Sequence, residues 1–162
     1  TKAHGWWVRF CPNVWTARRW KSADAAGRRR ERTMSGNMFI HAECRCSVDE
    51  AVRVLKARLS GKNIPLFAEF DHKLNAEGVG MDMPGATVLV FGNPALGTGL
   101  MLKAPSLALD LPLRILVREE GGGCRLSCRD ACALAREHGL DEHDETVGRL
   151  NALLRELLQG VQ

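Results

Sequence analysis

The sequence contains no apolar run of 18 residues, which is about the minimum length for a helix that crosses a membrane. It also lacks the Gly-Lys-Ser/Thr ending of a phosphate-binding loop, and it shows no Ser-His-Asp, metal-ligand or cofactor motif. These absences argue against a membrane span, a nucleotide, a metal and an organic cofactor. We therefore expect a soluble, cytoplasmic protein that carries no cofactor and no bound metal.

Charge is distributed unevenly along the 162 residues. Residues 1–33 contain nine Lys/Arg against two Asp/Glu and all four tryptophans, whereas residues 34–162 contain fourteen Lys/Arg against seventeen Asp/Glu. Because the first segment has no helical or strand period, we predict a disordered or non-native basic extension over residues 1–33. A single domain is expected over residues 34–162. Nucleic-acid binding is expected only if the basic arm is native.

The clearest structural signal is a strand followed by a turn. The segment 87–91 is apolar or β-branched without polar alternation, which is typical of a central strand covered on both faces. Gly92-Asn93-Pro94 then predicts a helix with Asn93 as its N-cap. Orphan N–H groups at a helix N-terminus attract anions, so we expect a site for a small molecule or an anion here. The residues assigned to this site are Gly92, Asn93, Gly97 and Thr98.

Hydrophobic periodicity predicts the other elements. A half-buried strand begins at Met38, and the capping box Ser47-Val48-Asp49-Glu50 starts an amphipathic helix. Residues 64–70 predict a second strand, with its inward side chains at Ile64, Leu66, Ala68 and Phe70. Residues 113–119 and 124–129 predict a hairpin, and helices are predicted after Asp130 and over the last leucines. The fold class is α+β: a two-layer sandwich of about five mostly antiparallel strands with helices packed on one face.

The cysteines of the domain have three possible interpretations. By strand alternation, Cys44, Cys46, Cys124 and Cys128 all point towards the core, and buried free thiols are the main interpretation. Metal binding and a redox or disulfide role stay open as alternatives. A flat strand would hold the sulfurs of Cys124 and Cys128 roughly 13 Å apart, so that pair alone is unsuited to chelation.

Among the titratable residues, Asp71-His72 is the strongest functional candidate. The pair follows a predicted strand, and a histidine can act as a general acid or base near neutral pH. We therefore take His72 as the candidate catalytic residue and both residues as candidate ligand contacts near the Asn93 turn. A structural role for His72 is the alternative. Asp110, within Leu109-Asp110-Leu111-Pro112, is also assigned to the ligand site.

Three strings carry a resemblance to a known family. FGNPALGTGLM, LALDLPLRILV and the upstream FDH closely resemble domain of unknown function family 302, over roughly residues 39–158. The resemblance implies a compact α+β domain of bacteria and archaea that forms a homodimer. It implies no particular reaction.

Three classes of function follow from these observations. The leading hypothesis is a homodimeric small-molecule-binding or accessory module, with its site at residues 91–98 near His72. The alternative is a small enzyme that uses His72 as general acid or base, with an anion site at the helix N-terminus after Asn93. The second alternative is a thiol or metal-binding protein that uses the core cysteines.

Overall fold

A five-stranded antiparallel sheet organises the domain in the computed structural model, which describes residues 38–161. The order of the strands is β1-β5-β4-β3-β2, so β4 is in the middle. Their bounds are β1 Phe39–Cys44, β2 Leu66–Asp71, β3 Ala86–Phe91, β4 Leu113–Glu120 and β5 Gly123–Arg129. The predicted basic extension over residues 1–33 lies outside the described residues.

Helices connect the strands, and local capping explains where most of them begin. Their bounds are α1 Val48–Gly61, α2 His72–Glu77, α3 Pro94–Lys103, α4 Ala131–Glu137 and α5 Glu145–Leu158, with a 3-10 helix at Pro105–Leu109. Ser47 and Glu50 form the predicted capping box of α1. Asp130 and Asp144 cap α4 and α5 in the same chemical way, by accepting backbone N–H groups. None of the helices in the described part of the chain is long and apolar enough to cross a membrane.

One hydrophobic core lies between the sheet and its helices. Leu55, Leu89, Ile115 and Leu154 are fully buried within it. Arg58 in the last turn of α1 donates hydrogen bonds to the carbonyls of Leu157, Gln159 and Gly160, and so fixes the end of α5 against α1. These observations confirm the α+β sandwich with helices on one face of the sheet.

β3 is an interior strand, paired with β2 and β4, but the expectation that it is covered on both faces is wrong. Thr87, Leu89 and Phe91 are buried on the helical side, but Val88 and Val90 are only half-buried on the other side. Val88 pairs with Leu116 of β4, which is also half-buried. The apolar run therefore belongs to a strand with one open face, and its position is next to the edge of the sheet.

Strand β2 is the edge neighbour of β3. Ile64 and Leu66 pack against the core as predicted, but the predicted inward orientation of Ala68 and Phe70 is wrong. The pairing shifts between Leu66 and Ala68, which indicates a β-bulge. After the bulge, Phe70 pairs with Val88 on the open face and is 49% exposed. A single extra residue reverses the alternation of a strand, and sequence periodicity does not reveal it.

A matched pair of leucine substitutions tests which face of the sheet is buried. Leu89→Ala should lower the free energy of unfolding by about 2–5 kcal/mol, because it empties a fully enclosed position. Leu116→Ala on the open face should lower it by less than half as much, because water already reaches that side chain. Urea unfolding followed by circular dichroism measures both. Equal losses would mean that both faces are enclosed.

Asp144 gives the domain a defined response to acid. Its side chain accepts a hydrogen bond from Lys103 Nζ at 2.6 Å, and this bond, together with those from the backbone N–H groups of Thr146 and Val147, lowers the pKa of Asp144 from 3.8 to about 2. A carboxylate with a depressed pKa stabilises the fold above its unfolded pKa and loses that contribution as the pH falls through its folded pKa. Stability should therefore decline between about pH 4 and pH 2. Asp144→Asn keeps the N-cap and should flatten this part of the profile; an unchanged profile would contradict the assignment.

Candidate functional site

The turn after β3 forms the N-terminus of α3 as predicted. Asn93 Oδ1 accepts hydrogen bonds from the backbone N–H groups of Ala95 at 3.0 Å and Leu96 at 3.3 Å. Pro94 occupies the first helical position, where a missing N–H has no consequence. Asn93 therefore satisfies two of the amide groups that an anion would otherwise bind, which weakens the predicted anion site.

An apolar cavity of about 370 Å³ lies beside this turn. It is bounded by α3, α5, the end of β3 and the segment that leads into β4. Asn93 and Thr98 are its polar lining residues. Its apolar lining includes Ile64, Phe67, Phe91, Leu96, Met101, Leu111, Leu150 and Leu153. This composition suits a ligand that is mostly hydrophobic and carries one polar group.

Two glycines of the predicted site contact the cavity. A Cβ atom at Gly92 would lie 3.4 Å from Phe67 Cε2, and one at Gly97 would lie 3.8 Å from Leu111 Cδ1. At Gly99, by contrast, a Cβ atom would meet nothing within 4 Å. A long side chain at Gly97 would therefore occupy the cavity, whereas one at Gly99 would point into open space.

The prediction that His72 lies near the Asn93 turn is wrong. In the antiparallel pairing of β2 and β3, Leu66 is opposite Phe91, whereas Asp71 is opposite Thr87. Thr87 and Phe91 are four residue steps apart, which corresponds to about 13 Å of strand. His72 is exposed at the other end of the sheet, and Asp71 Oδ1 caps α2 by accepting a hydrogen bond from Leu74 N. Gly92, Asn93, Gly97 and Thr98 line the cavity, but Asp71 and His72 do not.

Asp110 also lies outside the cavity lining, in a hydrogen-bond chain that sequence reasoning missed. His138 Nε2 is 2.8 Å from Asp110 Oδ2, and His138 Nδ1 is 2.9 Å from Ser106 Oγ. With Nε2 donating to the carboxylate, the neutral ring accepts the Ser106 hydroxyl through Nδ1. The chain joins the 3-10 helix to the end of α4. His138 and Ser106 are 32 residues apart, so no local sequence pattern indicates their contact.

The cysteine predictions are partly wrong. Strand β1 ends at Cys44, and Cys46 lies in the bend that follows, where the two residues form a disulfide. Cys124 is a free thiol directly opposite Cys44 on β5, and its sulfur belongs to a cluster with the two disulfide sulfurs in which all three atoms lie within 4.8 Å of one another. Burial raises the pKa of the Cys124 thiol.

Cys128 confirms the predicted buried thiol. It lies on the same face of β5 as Cys124 and Leu126, and all three are buried. Burial, together with the nearby Asp130 carboxylate, raises the pKa of Cys128 to about 12. A thiol in this environment stays protonated at neutral pH and is inert.

Comparisons with known proteins agree on the fold. The crystal structure of an uncharacterized conserved protein DUF302 from Bacillus stearothermophilus is similar with a TM-score of 0.63 and 14% identity, over 78% of this chain and 96% of that chain. That identity supports a shared fold alone.

Curated relatives match in sequence over part of their length. The fluoride-specific ion channel FluC 1 of Brucella suis biovar 1 (strain 1330) is 34% identical over 103 residues, or 63% of this chain and 41% of the channel protein. The corresponding protein of Brucella abortus biovar 1 (strain 9-941) is also 34% identical over 103 residues, or 38% of its length. The chain therefore spans about two fifths of these relatives.

A family model covers most of the domain. The model described as Domain of unknown function DUF302 matches residues 40–157, which include every strand except the first residue of β1 and nearly all of α5. The chain belongs to the DUF302 family.

Proposed function

We propose that the domain is a binding module for a small, mainly hydrophobic molecule that carries one hydrogen-bond acceptor. The observation that carries this proposal is the apolar cavity of about 370 Å³ beside Asn93, which is within the size range of small-molecule sites. The hydrophobic body of the ligand would contact residues such as Phe67, Met101 and Leu153. Burial of that surface would supply most of the binding free energy.

The polar end of the ligand would lie at Asn93 and Thr98. The oxygen of the Asn93 side chain is already occupied by the amides of Ala95 and Leu96, so its Nδ2 group is the part that can donate to a ligand. The Thr98 hydroxyl is a second donor on the same wall. A carboxylate or carbonyl at one end of an apolar molecule would match this pair.

The enzyme hypothesis has less support than binding. It required His72 and the N-terminus of α3 to act on one substrate, but Asp71 and His72 are at the opposite end of β3. The helix amides that would stabilise an anion are those that Asn93 already caps. We therefore retain binding and do not assign a reaction.

An accessory role in a larger assembly is the second part of the proposal. The curated relatives are ion channel proteins, and the shared segment is about two fifths of their length. This partial match supports a module that is attached to, or works beside, other protein units. A homodimer, as the family resemblance implies, is the assembly that we propose for the isolated domain.

Two substitutions in α3 provide a matched test of the cavity. The probe is 8-anilinonaphthalene-1-sulfonate, an apolar molecule with an anionic acceptor whose fluorescence rises when it leaves water. Gly97→Leu should weaken binding of the probe at least about tenfold by filling the cavity, whereas Gly99→Leu should leave binding unchanged. Both variants place the same side chain in the same helix, so their helix propensities are matched.

Asn93→Asp tests the polar end separately. Aspartate still accepts the Ala95 and Leu96 amides, so the helix cap is kept, but the Nδ2 donor is replaced by a negative charge. Binding of the anionic probe should fall without a loss of thermal stability. Equal binding by the wild type, Gly97→Leu and Asn93→Asp would overturn the proposed site.

A further inference from the structure

We propose that Cys44, Cys46 and Cys124 form a binding site for one Cu(I) ion when the Cys44–Cys46 disulfide is reduced. This site is separate from the apolar cavity and independent of the ligand proposed there. It lies at the opposite end of the sheet, where β1 ends and β5 begins.

The positions of the three sulfurs suit a single soft ion. They lie within 4.8 Å of one another, and they are the only such cluster of His, Cys, Asp or Glu found among residues 38–161. A metal–sulfur bond of about 2.3 Å with three ligands at 120° places the sulfurs about 4 Å apart. Once the disulfide is reduced, small side-chain movements are enough to reach that arrangement.

Close backbone packing holds the third cysteine against the other two. A Cβ atom at Gly123 would lie 2.2 Å from the carbonyl oxygen of Cys44, so only glycine permits this approach. Gly121 and Gly122 precede it with φ values of 61° and 83°, which turn the β4–β5 hairpin back on itself. The glycines therefore bring Cys124 within reach of Cys44 and Cys46.

The environment favours bound thiolates only when a cation is present. Cys44 and Cys124 are 6% and 2% exposed, and a buried negative charge without a partner is unfavourable. The Cys46 backbone N–H donates to Cys44 Sγ at 3.1 Å, and such a hydrogen bond stabilises charge on a metal-bound sulfur. A cavity of about 990 Å³, whose lining includes Glu43, Glu120 and all three cysteines, leaves the cluster accessible to an arriving ion.

The donor set selects the type of metal. Thiolates prefer soft ions, which excludes hard cations such as Mg²⁺ and Ca²⁺ that bind through oxygen. Structural Zn²⁺ takes four protein ligands in tetrahedral geometry, and this cluster supplies three. Cu(I) is soft and is satisfied by three thiolates, so it is the ion that we assign.

The chemistry of loading balances without a change in the copper oxidation state. A dithiol reductant gives two electrons and two protons to the Cys44–Cys46 disulfide and itself becomes a disulfide. The three protein thiols then release three protons as they bind Cu(I). The bound ion occupies the same sulfurs that form the disulfide, so metal loading and disulfide formation exclude each other.

The experiment uses the full chain in a Cys11→Ser background, which removes the cysteine that lies outside the described residues. The protein is reduced with dithiothreitol, desalted without oxygen and titrated with Cu(I) in competition with bathocuproine disulfonate. We expect one Cu(I) per chain and, by X-ray absorption, three sulfur neighbours at about 2.3 Å. Cys44→Ser, Cys46→Ser and Cys124→Ser should each weaken binding at least about 100-fold, because loss of a ligand exceeds the usual effect of its hydrogen-bond partners.

Cys132→Ser is the matched control, because that thiol is partly buried but lies outside the cluster. Its copper affinity should stay within about twofold of the parent. Circular dichroism confirms that each variant is folded, and the sulfur count of the parent protein does not depend on any variant. The proposal would be overturned if the reduced parent protein failed to compete with the chelator for Cu(I). It would also be overturned by fewer than three sulfur neighbours around the copper, or by an unchanged Cu(I) affinity in Cys124→Ser. Formation of an intramolecular disulfide between Cys124 and Cys46, in place of copper binding, would also overturn it.

Discussion

The antiparallel register of the sheet determines where the apolar cavity and the cysteine cluster lie. Strand β3 runs from the polar end, at Ala86 and Thr87, to the apolar end, at Phe91. Because β1 and β5 are antiparallel in the same sheet, their pairing places Cys44 beside Cys124 at the polar end. The cavity beside Asn93 and the cysteine cluster are consequently at opposite ends of one rigid layer. The two cavities at these ends share no lining residue.

Among residues 38–161, helices cover only one of the two faces of the sheet. Helices α1 and α5 pack against one face, whereas the other face presents residues that are at most half-buried within the described part of the chain. That face combines apolar side chains on β3 with arginines on β4 and β5, such as Arg114 and Arg129. Antiparallel sheets tolerate such a face because polar and apolar residues alternate along their strands. The core is therefore complete on the helical side alone.

Sequence patterns predicted the helices, strands and turns better than they predicted which residues pack around them. The capping box at Ser47, the cap and proline at Asn93-Pro94 and the hairpin around residues 120–123 depend on neighbouring residues, and the structure confirms all three. Four of the predicted ligand residues line the apolar cavity for the same reason. The open side of Val88 and Val90 was not predictable, because an apolar run has no period that identifies what covers it.

The remaining errors concern contacts between residues that are distant in the chain. The position of His72 depends on the β2–β3 register, and the environment of Asp110 depends on His138, 28 residues later. Cys44 and Cys124 are brought together only by the pairing of β1 with β5. Cys46 lies outside the strand, because β1 ends two residues earlier, at Cys44. No local pattern encodes these pairings, so the cysteine cluster required the three-dimensional structure.

The described strand pairing is tested most directly by measuring the register of β1 against β5, using cross-strand nuclear Overhauser effects in the full chain. The described register predicts backbone contacts that pair Cys44 with Cys124 and Ile40 with Cys128. Because pairing with β4 fixes the orientation of β5, a β1–β5 register displaced by one residue would turn Cys44 of the edge strand β1 away from the core and Glu43 towards it. That result would contradict both the described core and the cluster of Cys44, Cys46 and Cys124.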